Sequence, residues 1–555
     1  MTALTQHAFF LMSGERPLSA TLFAPGKVCG AVLFVPPFCE ERKGALPVFV
    51  QTARALAERR IAALMFDFAG CGDSAGAFET VPPETFEADC ESAWGWLKQV
   101  FPAVPRAVLG LRTGALLAAR LAARHPDTAA LAAWSPVTGD DFIRQLLQRR
   151  MVNDMVAYGK ARESRATLED TLRLSESSID LDGYLVTGSF CVWLRSLTPL
   201  PIRAPALVFS GGHDVKTRAA FAALSHHTQC PETRYPPFWN TVGHVDLAGL
   251  TRETAAWLAV QLSQGHEAPD VPVAPPLTAP CVSGAGAELL TLPGTSAVRA
   301  ILDTPSVPPH AGALFLHGWS GDRTGPHRLF TRFARQLAPR GFLCLRPDFT
   351  GRGLSDGKAA DASIGGMAEN AQAALDVLRA RLPPGAPVVV IAICSGCKVA
   401  VTLAADNQNI SRLLLWSPES MGSLRSAATG TRKTWGALAA YTRKLLRPET
   451  WKKLLSGKVQ AGLVAKALVK HETRSAEEAI QEDGTLVKFR AFRNPVLLVF
   501  GGSDPDAAGS GRAYARYCRT FGIPYDTHTV PHAGHSYYSE VWTDELFDVS
   551  LRFLS

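Results

Sequence analysis

The chain of 555 residues is 47% hydrophobic, 19% charged and 8% aromatic, with a formal net charge of +7. That length exceeds one ordinary hydrophobic core and suits two domains of about 260 to 270 residues each. The positive charge is mild and lacks clustered Lys/Arg interleaved with aromatics, so nucleic acid is not an expected partner. The opening MTALTQHAFFLMSGERPLSA has neither a basic start nor an adequate apolar run, and no secretory signal is expected. No uninterrupted run of about 18 apolar residues appears, which argues against a membrane span and for a cytoplasmic chain.

Residues 31–76, AVLFVPPFCEERKGALPVFVQTARALAERRIAALMFDFAGCGDSAG, read as strand, loop, helix, strand and an Asp-Phe-x-Gly-x-Gly turn. The loop is Pro36-Pro37-Phe38-Cys39-Glu40-Glu41. GLRTGALLA at Gly110 to Ala118 then turns from a strand into a helix, with Arg112 at the apex and Thr113 one residue off it. Beyond Trp134-Ser135-Pro136 comes an insertion at about 137–201 with the helical pattern FIRQLLQRRMVNDMVAYGKA. PALVFSGGHD ends at Asp214, and Gly243-His244 follows the next strand. The first domain is expected to span residues 1–263.

Residues 264–284, QGHEAPDVPVAPPLTAPCVSG, carry five prolines and suit an extended linker rather than packed structure. The second domain, residues 285–555, repeats the first. Residues 312–357 align with 31–76 without a gap, so that Asp348 pairs with Asp67. AICSGCKVA at Ala392 to Ala400 matches GLRTGALLA, and Trp416-Ser417-Pro418 matches Trp134-Ser135-Pro136. PVLLVFGGSD ending at Asp504 matches the segment ending at Asp214, and Gly534-His535 matches Gly243-His244. Alternating strands and helices over this length predict βαβ units and a mostly parallel, doubly wound sheet in each copy. A repeat this long means one α/β fold used twice.

The stretch VVVIAICSGCKVAVTLAA, Val388 to Ala405, carries the chemistry. A buried strand reverses into a helix within five residues, which strains the central residue and demands small neighbours, here Ala392 and Gly396. The turn resembles the G-x-S-x-G nucleophile elbow of α/β-hydrolases, with cysteine in place of serine. On that resemblance Cys394 is the nucleophile and the N–H of Ser395 joins an oxyanion hole. The order nucleophile, acid, histidine points to Asp504 and His535, with His528, His532 and Asp506 as competitors. The loop His317-Gly318-Trp319-Ser320-Gly321 resembles an H-G-x-x-G oxyanion loop and implies the N–H of Trp319 as second donor. A thiolate is available near neutral pH where a histidine and a helix N-terminus lower its pKa. Dienelactone-hydrolase-like proteins and polyester synthases also carry cysteine in this elbow. The C-x-x-C pair Cys394 and Cys397 lacks a partner pair for zinc, so Cys397 is read as a packing residue.

The first copy holds Asp214 and His244 in the acid and base positions, but a guanidinium cannot attack a carbonyl. A buried Arg112 needs an anion, and Glu40, Glu41, Asp214 or a ligand carboxylate are the candidates; internal pairing is the expectation. Phe38 holds the oxyanion-loop position of this degenerate site. The pattern PPF-x-EE, FAGCGDSAG, GLR-x-GALLA and WSPV resembles a hydrolase associated with the exosortase A system of exopolysaccharide production. Residues from about 285 to 555 resemble the serine aminopeptidase-like α/β-hydrolases.

Each insertion, about 137–201 and 419–493, stands where α/β-hydrolases place a helical cap. The second carries roughly a dozen Lys/Arg between Met421 and Arg474, with Trp435 and Trp451 among them, and offers a possible peripheral contact with an acidic carrier or a membrane surface. The whole predicts two tandem α/β-hydrolase domains, the second cleaving an ester or thioester of a small-molecule or carrier-bound acyl substrate, the first a pseudo-hydrolase. Acyl transfer by the same cysteine, or a non-catalytic scaffold, are the alternatives. No metal or organic cofactor is implied, and the sequence leaves the oligomeric state open.

Overall fold

Aliphatic runs bounded by Gly, Pro or charge become strands buried along their whole length, such as Gly30–Val35, Arg106–Leu111, Ala311–Leu316, Val388–Ile393 and Val496–Gly501. A computed structural model of the chain describes residues 4–210, 215–241, 245–263, 277–282, 285–294, 296–425 and 476–555. Asp214, His244, most of the proline-rich stretch and most of the second insertion, with Trp435 and Trp451, lie outside the described residues.

The strands form two large sheets. The N-terminal one has eight strands, ordered Leu4–Ser13, Arg16–Pro25, Ile61–Phe66, Gly30–Val35, Arg106–Leu111, Thr128–Trp134, Ala206–Phe209, Thr228–Gln229. The C-terminal one has nine, ordered Thr278–Val282, Ala285–Leu292, Val298–Pro305, Phe342–Pro347, Ala311–Leu316, Val388–Ile393, Arg412–Trp416, Val496–Gly501, Tyr525–Val530. Antiparallel pairs make one edge of each sheet and parallel pairs the rest. Thr278–Val282 falls inside the stretch expected to be unpacked linker, yet it pairs with Ala285–Leu292 and buries Ala279 beside Phe10.

Strand order reverses between Gly30–Val35 and Arg106–Leu111, and again between Ala311–Leu316 and Val388–Ile393. Loops at such a reversal diverge and leave a crevice at the carboxyl edge of the sheet. Both elbows open there. The first insertion is helical at Gly139–Tyr158, Arg165–Thr171 and Gly188–Ser196, but it also contains a hairpin, Ser178–Leu181 with Tyr184–Thr187. Of the second, the helix Ala476–Phe489 is described. Among the described residues no helix is long and apolar enough to cross a membrane.

The two halves meet through buried charge. Asp73 accepts from Arg323 and Arg346, both at 2.7 Å, and Arg346 also binds Asp303 at 2.8 Å. Arg42 binds Asp67 within its own half at 2.7 Å and Asp322 across the interface at 3.0 Å. Gly70, Gly72 and Gly76 hold positive φ angles, so the turn they form points its carbonyls inward. Arg328 of the other half donates to the carbonyls of Gly70, Gly72, Ser74 and Gly76.

Candidate active site

Cys394 follows the strand Val388–Ile393 and precedes the helix Gly396–Asp406, with φ of 59°. A Cβ on Gly396 would stand 2.3 Å from the carbonyl oxygen of Leu316, so only glycine lets the turn close against the neighbouring strand. That closure brings Gly318 against Cys394, where an added Cβ would lie 3.3 Å from Sγ. Cys397 is fully buried in the core behind the elbow, and burial pushes its thiol well up.

His535 and Asp504 arrive on loops after the strands Tyr525–Val530 and Val496–Gly501. His535 Nδ1 donates to Asp504 Oδ2 at 2.8 Å, and the Cys394 thiol is the other hydrogen-bonding neighbour of the ring. Burial alone would lower the imidazole pKa; the bonds to Asp504 and Cys394 outweigh it and hold the ring up at about 10. Of the competing groups, His528 pairs with Glu545 at 2.8 Å and His532 donates to the Ala157 carbonyl, while Asp506 gives its backbone N–H to Asp504 Oδ1 at 3.0 Å.

The backbone N–H of Trp319 donates to Ser395 Oγ at 2.7 Å, so the hydroxyl of Ser395 stands at the donor expected to receive an oxyanion. The first half repeats this bond, from the Phe38 N–H to Thr113 Oγ1 at 3.2 Å. His317 is buried and its pKa lowered to about 4, chiefly by desolvation. Its Nδ1–H donates to the Gly318 carbonyl at 2.8 Å and its Nε2 accepts from the Phe349 N–H at 3.2 Å, a neutral clamp that fixes the loop. Arg352 stacks over the Trp319 ring at 4.9 Å.

Glu419 was not anticipated. The Cys394 thiol donates to its Oε1 at 3.2 Å, and its Oε2 binds Lys398 at 2.8 Å. Burial would raise the carboxyl, but the Lys398 ammonium, the thiol and His535 outweigh it and hold it below the ordinary range. Two signals in the sequence could have found it. Glu419 stands just past the strand Arg412–Trp416, which neighbours the elbow strand, and Lys398 lies four residues beyond Cys394 on an otherwise apolar helix.

In the first half Arg112 occupies the same strained apex, with φ of 56°. Its guanidinium binds Glu41 at 3.1 Å, reaches Gln145, and lies 4.6 Å above the Trp239 ring. Glu40 does not join it; its carboxylate accepts from Tyr538 and from the His327 N–H, both at 2.9 Å, across the interface. Phe38 is fully buried among Phe68, Phe86 and Phe190, at ring separations of 4.8 to 5.1 Å, so aromatic packing fills the space beside this elbow. Between the halves lies a cavity of about 1280 Å³, with Trp319, Ser320, Arg352, Trp239, Arg149 and Tyr538 on its walls.

Residues 313–549 match the family described as alpha/beta hydrolase, and residues 26–165 match the serine aminopeptidase family, S33. The aminopeptidase match thus falls on the N-terminal half. No curated protein sequence matches the chain. Among solved structures, similarity extends to Est1E of Butyrivibrio proteoclasticus bound to ferulic acid, with 18% identity, 48% of this chain and 99% of that one covered, and a TM-score of 0.35. A dienelactone hydrolase of Anabaena variabilis is 12% identical over 49% and 97%, with a TM-score of 0.33. A thioesterase domain from the curacin biosynthetic pathway is 15% identical over 48% and 99%, with a TM-score of 0.32.

Proposed function

We propose that this chain, which belongs to the α/β-hydrolase superfamily in both of its halves, cleaves ester or thioester bonds through Cys394, His535 and Asp504 of the C-terminal half. The observation that supports this most is the sulfur on a strained elbow beside an imidazole whose far nitrogen is held by a carboxylate at 2.8 Å. In the attack the thiolate adds to the acyl carbon, and the imidazolium gives its proton to the leaving sulfur or oxygen as that bond breaks. Water then enters, His535 takes its proton, and the acyl–sulfur bond is cleaved. Asp504 keeps the ring in the tautomer that presents Nε2 to the thiol. The N-terminal half has an arginine paired to Glu41 where this chemistry needs a nucleophile, and is a pseudo-hydrolase.

Hydrolysis of a panel of acyl esters and thioesters of varied chain length tests the reading. Wild type is expected to turn over at least one class, and Cys394→Ala to lose at least 10³-fold in kcat, the scale at which a missing nucleophile is felt. Equal rates in the two proteins would refute it.

A further inference from the structure

The C-terminal loops that carry the acid and the base are not held by their own half alone. His532 and Tyr537, on either side of His535, adopt φ angles of 62° and 55°, a region that non-glycine residues occupy only when surroundings enforce it. Tyr537 is held by its own half, its hydroxyl bonding Ser417 and the Val499 carbonyl, whereas His532 is held from the first half. The first half's helix Gly139–Tyr158 ends against these loops, and a helix C-terminus carries carbonyls with no partner inside the helix. The Ala157 carbonyl accepts from His532 Nδ1–H at 3.2 Å and from the Ser503 hydroxyl at 3.4 Å. One carbonyl of the first half therefore touches the neighbour of the acid, Asp504, and the loop of the base, His535. The Tyr158 ring lies 4.7 Å from the His532 ring.

The other end of the His535 loop is tied as firmly. The helix Glu540–Leu554 begins at Ser539, whose side chain makes no cap bond to its own helix. Asp180, from the hairpin of the first insertion, supplies that cap instead: its Oδ2 accepts from the Glu540 N–H at 2.9 Å and from the Ser539 hydroxyl at 2.6 Å. Between the two ties, Tyr538 donates to Glu40 at 2.9 Å.

We propose that the pseudo-hydrolase half serves as a built-in activating subunit, with Asp180, Glu40 and the Ala157–Tyr158 helix end as positioning residues that set the loops of Asp504 and His535 against Cys394. This rests on the reading of Cys394 as nucleophile. It also gives the first half a task after losing its own chemistry, since none of these contacts involves its degenerate elbow. The insertion that caps a pocket in a single-domain relative would here brace a neighbour's catalytic loops.

Asp180→Ala and Tyr158→Ala in the full chain test it, each first checked for a cooperative melt. Asp180→Ala is expected to lower kcat about tenfold with KM unchanged, because a small misplacement of a catalytic group costs rate rather than binding. The pH profile of Cys394 alkylation by iodoacetamide is expected to move toward that of His535→Ala. Asp180→Asn, which keeps an acceptor oxygen for the cap, should recover most of the rate. Tyr158→Ala sits on a half-buried helix end and should fold if Asp180→Ala does not, with a smaller loss of the same kind. Unchanged kcat and unchanged alkylation profiles in the folded variants would overturn the proposal. If His535→Ala itself left the alkylation profile unaltered, the assignment of the site would fail instead.

Discussion

The Ser395 hydroxyl accepts the N–H that an oxyanion would need. A substrate oxygen carrying developing charge is the stronger acceptor, and a serine side chain leaves by rotation about one bond. Ser395→Ala removes the competitor and keeps both backbone amides, so kcat is expected to rise about two- to fivefold on the preferred acyl substrate. A fall of about a hundredfold would instead mark the hydroxyl as the oxyanion donor. Glu419 and Lys398 act on the same atom from the other side. One carboxylate oxygen of Glu419 accepts from the thiol and the other binds Lys398, which is only 1% exposed. His535, raised to about 10, favours the imidazolium, so its contribution to folding is full below about 6.5 and fades as pH rises through 10.

At the scale of elements, the strands and elbows were legible because a buried parallel strand needs an aliphatic run and a tight strand-to-helix reversal needs small residues. Cys394, His535 and Asp504 could be picked out as candidates for the same reason, and the His535 ring lies in hydrogen-bonding reach of the other two. The hairpin Ser178–Leu181 with Tyr184–Thr187 was not legible, because its strands are four residues each and flanked by strong helical periodicity. Nor could spacing decide between Glu40 and Glu41 as the partner of Arg112. The helix Glu41–Ala57 begins between them, and that start turns Glu41 inward and Glu40 toward the other half. The strand Thr278–Val282 was hidden by neighbouring prolines, which are tolerated here because the strand lies at the sheet edge.

For the molecule as a whole, Asp73 is the centre of the contact between halves, and nothing in one dimension sets its carboxylate apart from a surface charge. Burial would raise its pKa, but Arg346 and Arg323 outweigh this and hold it well below the usual range. The stabilisation is therefore present at neutral pH, and is lost only as pH falls below about 4 toward the folded-state value. Asp73→Ala takes one of two carboxylates from each of Arg323 and Arg346, which are 4% and 0% exposed and keep Asp348 and Asp303, and should cost roughly 2 to 3 kcal/mol, about 5 °C in Tm. It should also flatten the acid limb of a stability-against-pH curve measured by urea unfolding. A variant as stable as wild type from pH 3 to 7 would mean the halves are held by other contacts.

Acyl transfer to sulfur leaves a covalent record. The full chain, mixed with a short acyl thioester and quenched in acid within the first turnovers, is expected to carry one acyl group on the peptide containing Cys394. The adduct should be absent from Cys394→Ala and slow to clear in Asp504→Asn. A chain that hydrolyses the thioester while Cys394 stays unmodified, or that labels equally at Cys518, would contradict the account.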